Sequence, residues 1–256
     1  MLREQFEYRE LLTQMTKRDL LLRYKQTVMG FGWAIFMPLV NTAVFSVVFT
    51  RVAPIDAGVP YPLFAFCGLL CWNFFAASLR FSVNSLTSNS NLITKIYFPR
   101  EIFPFSAIMV CLVDFAVGSV VLAVMMAYFR IWGGWELVFL PVVLVVHLAF
   151  TCGIALLLAM ANLFYRDVKY IFEVVITVWM FATSVLYPLS VLGPRIARIA
   201  AINPMTPIID AYRNVLLYGR TPFTPEFIAA GFLSFAVLLV GWLMFHRAEF
   251  KFAENV

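Results

Sequence analysis

The stretch "NLITKIYFPREIFP" (Asn91–Pro104) is a polar, proline-bounded break between two long runs almost free of charge. Residues 57–79 precede it without one Asp, Glu, Lys or Arg, and residues 102–129 follow it with a single acid, Asp114. The same pattern recurs at 26–50, 137–165, 174–194 and 227–246. Each run holds the roughly 20 residues that cross a bilayer core as a helix. Six transmembrane helices follow, near 31–51, 62–82, 105–129, 137–162, 171–190 and 227–246. Inside the break, Asn89–Asn91 supply helix-starting side chains. Leu92, Ile93, Ile96 and Tyr97 then cover one arc of a turn, with Thr94 and Lys95 opposite. Pro99 forces Phe98 out of helix, so the element lasts under two turns and must dock on something to persist.

Composition agrees with membrane residence. The 256 residues are 62% hydrophobic and 13% charged, with a mean hydropathy of +0.88. The fold class is therefore an all-α integral membrane protein. The start "MLREQFEYRELL" lacks the apolar core and small-residue cleavage site of a signal peptide. Placing both termini in the cytoplasm puts 13 of the 19 basic residues inside, all five lysines among them. The net charge of +5 then reads as a topology and anionic-lipid signal, with no nucleic-acid partner.

Residues 1–30 form a cytoplasmic amphipathic segment, and 31–256 the six-helix domain. Tyr8, Leu11, Leu12 and Met15 share one helical face opposite Arg3, Glu7, Glu10 and Gln14. Thr16 and Asp19 have capping-box spacing and predict a second helix there. Pro38, Pro141 and Pro188 are expected to kink spans, and Ala107/Cys111 and Ala230/Ser234 to make close helix contacts. The outer loop, about 191–226, contains "NPMTPIIDAYRNVLLYG". It predicts a helix with Pro207 first, Gly219 past its end, and Asp210, Arg213 and Asn214 on its polar face.

Chemistry is sparse. The sequence holds no Walker-type phosphate loop, HExxH, GxSxG or CxxC. Cys67, Cys71, Cys111 and Cys152 fall within spans and read as packing residues, with no metal site expected. His147 and His246 have no carboxylate or nucleophile partner evident in sequence. Asp114 costs about 2.5–3.5 kcal/mol near mid-span, so it needs a partner or a wet path. A proton or ion relay is one reading; a hydrogen bond to a polar residue such as Asn41 or Asn73, or exposure to the pore, is the simpler one. Trp33, Phe36, Trp179, Phe181 and Tyr187 are candidates to line a conduit, since a ring can cover a sugar's apolar face. Arg23 and Lys25 could meet a lipid pyrophosphate or simply the anionic membrane surface.

Four stretches carry a resemblance: "RDLLLRYKQTVMGFGWAIFMPL" (Arg18–Leu39), "NLITKIYFPREIFP", "ANLFYRDVKYI" (Ala161–Ile171) and "NPMTPIIDAYRNVLLYG" (Asn203–Gly219). In this order and layout the chain resembles the type-2 ABC transporter permeases that export polysaccharides, O-antigen exporters above all, with teichoic-acid and capsule exporters beside them. The resemblance implies a homodimer in the bacterial inner membrane, bound to two copies of a separate ATPase that uses ATP and Mg, this chain holding no cofactor. It implies a polyprenyl-pyrophosphate-linked polysaccharide as substrate and a conduit largely from spans one and five. It also implies a coupling helix at about 91–98, contributed by Asn91, Leu92, Ile93, Lys95, Ile96, Tyr97 and Phe98, with Arg100 and Glu101 as its elbow. A secondary transporter would show repeats or several intramembrane charges, and an intramembrane transferase clustered acids, bases or metal ligands. Only Asp114 speaks for the first, and only the Arg166–Asp167 pair for the second.

Overall fold

The computed structural model describes residues 8–25, 30, 32–52, 56–89, 92, 99–191, 193, 195, 200 and 202–248. Among them every regular element is helical: α1 (Arg9–Tyr24), α2 (Gly32–Val47), α3 (Tyr61–Ser85), α4 (Ile102–Tyr128), α5 (Leu140–Phe164), α6 (Val168–Phe181), α7 (Met205–Arg213) and α8 (Pro225–Ala248). Four stretches are long and apolar enough to cross a membrane: α3, α4, α5 with the 3-10 turn that leads into it, and α8.

The starts obey local chemistry. Pro62, Pro141 and Pro225 each sit in a first turn, where no backbone N–H is needed. Pro141 therefore opens a helix where a kink was expected. Thr224 caps α8 through its hydroxyl, which accepts the Phe227 N–H at 3.2 Å. Pro38 alone of the three expected kink positions lies inside a helix, α2, which runs on into a π-type turn at Val48–Val52.

α3 is the axis of the bundle. Of its most apolar stretch 83% is buried, against 28% in α4 and in α8, yet α3 is the least apolar of the four. The inversion is physical: a lipid-facing surface must be apolar, whereas a buried helix can carry Ser82 and Ser85, whose hydroxyls donate to the Pro104 carbonyl at 3.3 Å and the Ser82 carbonyl at 2.7 Å. Around α3 one large cluster includes Phe66, Trp72, Phe75, Phe150 and Ile208. α5 and α8 approach closely, through Gly153 and Gly241. A Cβ on Gly241 would stand 2.6 Å from the Gly153 carbonyl oxygen, and one on Gly153 2.6 Å from the Leu238 nitrogen. The expected small-residue positions Ala107, Cys111, Ala230 and Ser234 are buried too.

Three further expectations are corrected. α1 is continuous through Thr16, because its hydroxyl bonds back to the Leu12 carbonyl at 2.8 Å and leaves the backbone helical. The helix expected over 171–190 stops at Phe181 and gives way to turns. There Asn203 donates to Thr183 Oγ1 at 2.7 Å, and Arg213 takes the next carbonyls, so the chain has side-chain partners where the helical ladder ends. Finally, the helix over 203–219 begins at Met205, two residues before Pro207. Asn203 Oδ1 accepts the Met205 N–H at 3.1 Å and sets that start. The helix then widens into a π-type turn over Asn214–Tyr218 and ends on Gly219 at φ 58°, a conformation suited to glycine.

Candidate functional site

At the end of the bundle where α1 docks, a second cluster gathers Leu86, Ile102, Phe103, Leu156, Leu163 and Phe245. The apolar face of α1, Tyr8, Leu11, Leu12 and Met15, packs on it, as does Leu92. Asn91, Ile93, Lys95, Ile96, Tyr97 and Phe98, the rest of the expected coupling helix, lie outside the described residues. Its elbow does not: Glu101 is 5% exposed and accepts the indole N–H of Trp242 at 2.7 Å, with His246 Nδ1 4.0 Å away. Arg100 is half-buried beside it. The start of α4 is thus tied to the last turns of α8. Asn162, from "ANLFYRDVKYI", is a further staple: it donates to the Val83 carbonyl at 2.8 Å and accepts the Lys169 N–H. No ion pair joins Arg166 to Asp167 among the described residues.

α1 rises from this end along α4. Arg18 reaches Asn89 at 3.0 Å and Asp19 at 2.8 Å, and Asp19 accepts from Ser106 at 3.3 Å. About one turn further on, Arg23 pairs with one oxygen of Asp114 at 2.7 Å, and the Tyr24 hydroxyl donates to the other oxygen of the same carboxylate. Burial first, and this hydrogen bond next, push the Tyr24 phenol well above its usual range. The guanidinium of Arg23 also lies over Phe81, 4.6 Å from the ring centre. Lys25 is exposed. The mid-span acid therefore answers to α1, and the expected bond to Asn41 or Asn73 is not made. Both amides nevertheless face it across a cavity of about 460 Å³, walled also by Trp33, Phe115 and Arg80. Arg80 is paired with Glu173 of α6 at 3.0 Å.

At the opposite end, Arg213 belongs to no polar surface. It is 1% exposed, its charge stacked 3.6 Å over Phe64. Nη1 donates to the Ser184 carbonyl at 2.5 Å and to Asp210 at 3.2 Å, and Nη2 to the Val185 carbonyl at 2.6 Å. Asp210 also accepts from Ser184 Oγ. Gly68 makes the room, since a Cβ there would meet Nη2 at 2.3 Å. Asn214 opens the π-type turn and its carbonyl accepts the Arg220 N–H. The helical wheel gave Arg213 to the polar face because periodicity carries no information about a broken neighbour with carbonyls to fill.

The five candidate conduit aromatics separate. Trp33 and Phe36 stand together on α2, edge to face at 5.8 Å and exposed. Phe181 is exposed, and the half-buried Tyr187 donates to its carbonyl at 2.6 Å. Trp179 turns inward among Trp72, Phe75 and Phe150 and donates to Asn203 at 2.9 Å. Among the described residues no cluster of His, Cys, Asp and Glu could hold a metal. His147 is buried against Phe74, Phe75 and Tyr212, and the cysteines are unpaired.

The bundle thus holds a polar plug at one end, a docked helix at the other and a polar cavity between them. The chain belongs to the ABC-2 type transporter family, whose model matches residues 10–217. It is 31% identical over 259 residues to the O-antigen export system permease protein RfbA of Myxococcus xanthus, covering 100% of this chain and 99% of that one. Two proteins of the same name from Klebsiella pneumoniae are 29% and 27% identical over 254 residues, each alignment covering 96% of this chain and 94% of theirs.

Proposed function

We propose that this chain is the transmembrane subunit of an ATP-driven exporter that carries a polyprenyl-pyrophosphate-linked polysaccharide, O-antigen, out across the bacterial inner membrane. The observation that carries the reading is similarity over nearly the full length to three permeases bearing that name. The working unit is a homodimer with two cytoplasmic ATPase subunits. α2 with its π-type turn and α6 with the turns after it complete six crossings, both termini inside. The end where α1 docks is then cytoplasmic.

The coupling element is the stretch 91–98, with Leu92, Arg100 and Glu101 at its described edges. Support comes from the packing of Leu92 with α1, α4, α5 and α8 in one cluster, and from the Glu101–Trp242 hydrogen bond. A push at this stretch would reach α4 and α8 together. Arg23 is already paired with Asp114, so contact with a lipid pyrophosphate would have to displace that carboxylate; Lys25 has no such competitor among the described ion pairs. Asp210, Arg213 and Asn214 hold the outer half of the broken crossing.

The test is genetic and biochemical. Deleting residues 91–98 is expected to abolish cell-surface polysaccharide, with lipid-linked polymer accumulating inside and the chain still in the membrane. An ATPase subunit should co-purify with the intact chain and be lost with the deletion. Unchanged surface polysaccharide in the deletion strain overturns the proposal.

A further inference from the structure

The cavity beside Asp114 has a composition that selects its occupant. Asn41 lies on α2 and Asn73 on α3, and their carboxamides line one wall region with no hydrogen-bond partner among the described residues. A carboxamide at membrane depth without a partner costs up to several kcal/mol, so groups of this kind are held where a polar ligand or water reaches them. Trp33, 37% exposed, adds a flat apolar face and an N–H donor to the same cavity.

The charges on the wall are not available to a ligand in the same way. Arg23 is neutralised by Asp114, Asp114 is further occupied by Tyr24, and Arg80 is paired with Glu173. What remains is neutral: two amides, each offering both donors and an acceptor, and an indole. Such a set fits vicinal hydroxyls on a ring with an apolar face. The volume of about 460 Å³ lies in the range of roughly 300–1,000 Å³ that takes a small organic group, and has room for a sugar ring.

We propose that Asn41, Asn73 and Trp33 form a subsite for a neutral sugar unit of the transported glycan, within one protomer and next to the Arg23–Asp114 pair. The proposal rests on the export reading above and adds the residues that touch the sugar. α1 forms the floor of the subsite through Arg23 and Tyr24, so the docked helix and the bound sugar share a wall.

The test uses the full transporter in cells that make the polymer. A photo-crosslinking benzoylphenylalanine in place of Asn41, or separately of Asn73, is expected to yield an adduct of the chain that carries glycan. The adduct should vanish when polymer synthesis is blocked. Asn41→Leu and Asn73→Leu, close in volume, should each slow export about two- to tenfold, the effect of one lost neutral hydrogen bond. Chain and ATPase levels in the membrane should stay normal. Adducts with phospholipid alone, or no glycan adduct in cells whose export proceeds through this chain, overturn the subsite and leave the export reading standing. If surface polymer does not depend on the chain at all, it is the export reading that fails.

Discussion

Arg213 and Asp114 are two charges this fold holds within the bundle, and each is made tolerable by a different neighbour. Arg213 is held by two carbonyls, an acid and an aromatic face, a set that only a planar fork can satisfy at once. Arg213→Lys is therefore expected to lower stability in detergent by about 1–3 kcal/mol, read as an earlier thermal unfolding midpoint. Gly68→Ala should produce the same defect by pushing on Nη2, and the double variant should lose less than the sum, because both remove one arrangement. Asp114 and Arg23 are coupled through one contact, 18% and 32% exposed at the side chain. A double-mutant cycle with Asp114→Asn and Arg23→Gln should return about 1–3 kcal/mol of coupling, between the surface and fully buried limits for ion pairs. A coupling near zero would mean that α1 is held by its apolar face alone. Sequence made Asp114 conspicuous, and its cost demanded a partner, but nothing in a one-dimensional pattern pointed to Arg23, 91 positions earlier on a helix expected to lie flat on the membrane.

At the scale of elements, the crossing of α5 on α8 depends on the absence of two side chains. Gly241→Val would drive a Cβ to 2.6 Å from the Gly153 carbonyl oxygen, so the helices must separate; the expected cost is about 1–3 kcal/mol, read by thermal unfolding of the purified transporter. Should Gly241→Val leave the midpoint unchanged, the tight crossing is absent in the folded chain. The second element-level link is Glu101 to Trp242. Trp242→Phe keeps the ring and removes the donor, and it is expected to reduce export about two- to tenfold while the ATPase subunit stays bound and active. A parallel fall in ATPase binding would place the defect in assembly instead. Helix starts at Pro62 and Pro225 follow the local rule for a first-turn proline, the rule that the kink reading of Pro141 passed over. The early end at Phe181 follows no such rule, since the charge-free run continues to Pro194 while the partners that end the helix arrive from Asn203 and Arg213.

Across the whole molecule, three polar features sit on one central helix. α3 carries Gly68 beneath Arg213, Asn73 at the cavity and Arg80 facing α6, and all three lie on the least lipid-exposed span. The docked α1 closes the cavity from one side, so its removal should expose both the cavity and the cluster around Phe103 and Phe245. Leu11→Asp with Leu12→Asp, at the start of α1, is expected to release the helix and raise labelling of a cysteine introduced at Asn73 at least severalfold. Unaltered labelling would show that α1 does not cover this cavity.

The amino-acid sequence by itself determined that this chain is helical and lives in a membrane, because a bilayer reads only the length and polarity of each run, and both are written linearly. It also marked the break at 91–104, the family stretches and the one costly acid. Only the tertiary structure decided which polar groups meet: Asp114 with Arg23 and Tyr24, Arg213 with the carbonyls of Ser184 and Val185, Asn41 with Asn73 around one cavity. Inside a membrane those pairings are set by the demand that each buried polar group find a partner in space. Segments that are distant in sequence can satisfy that demand only after the helices have packed.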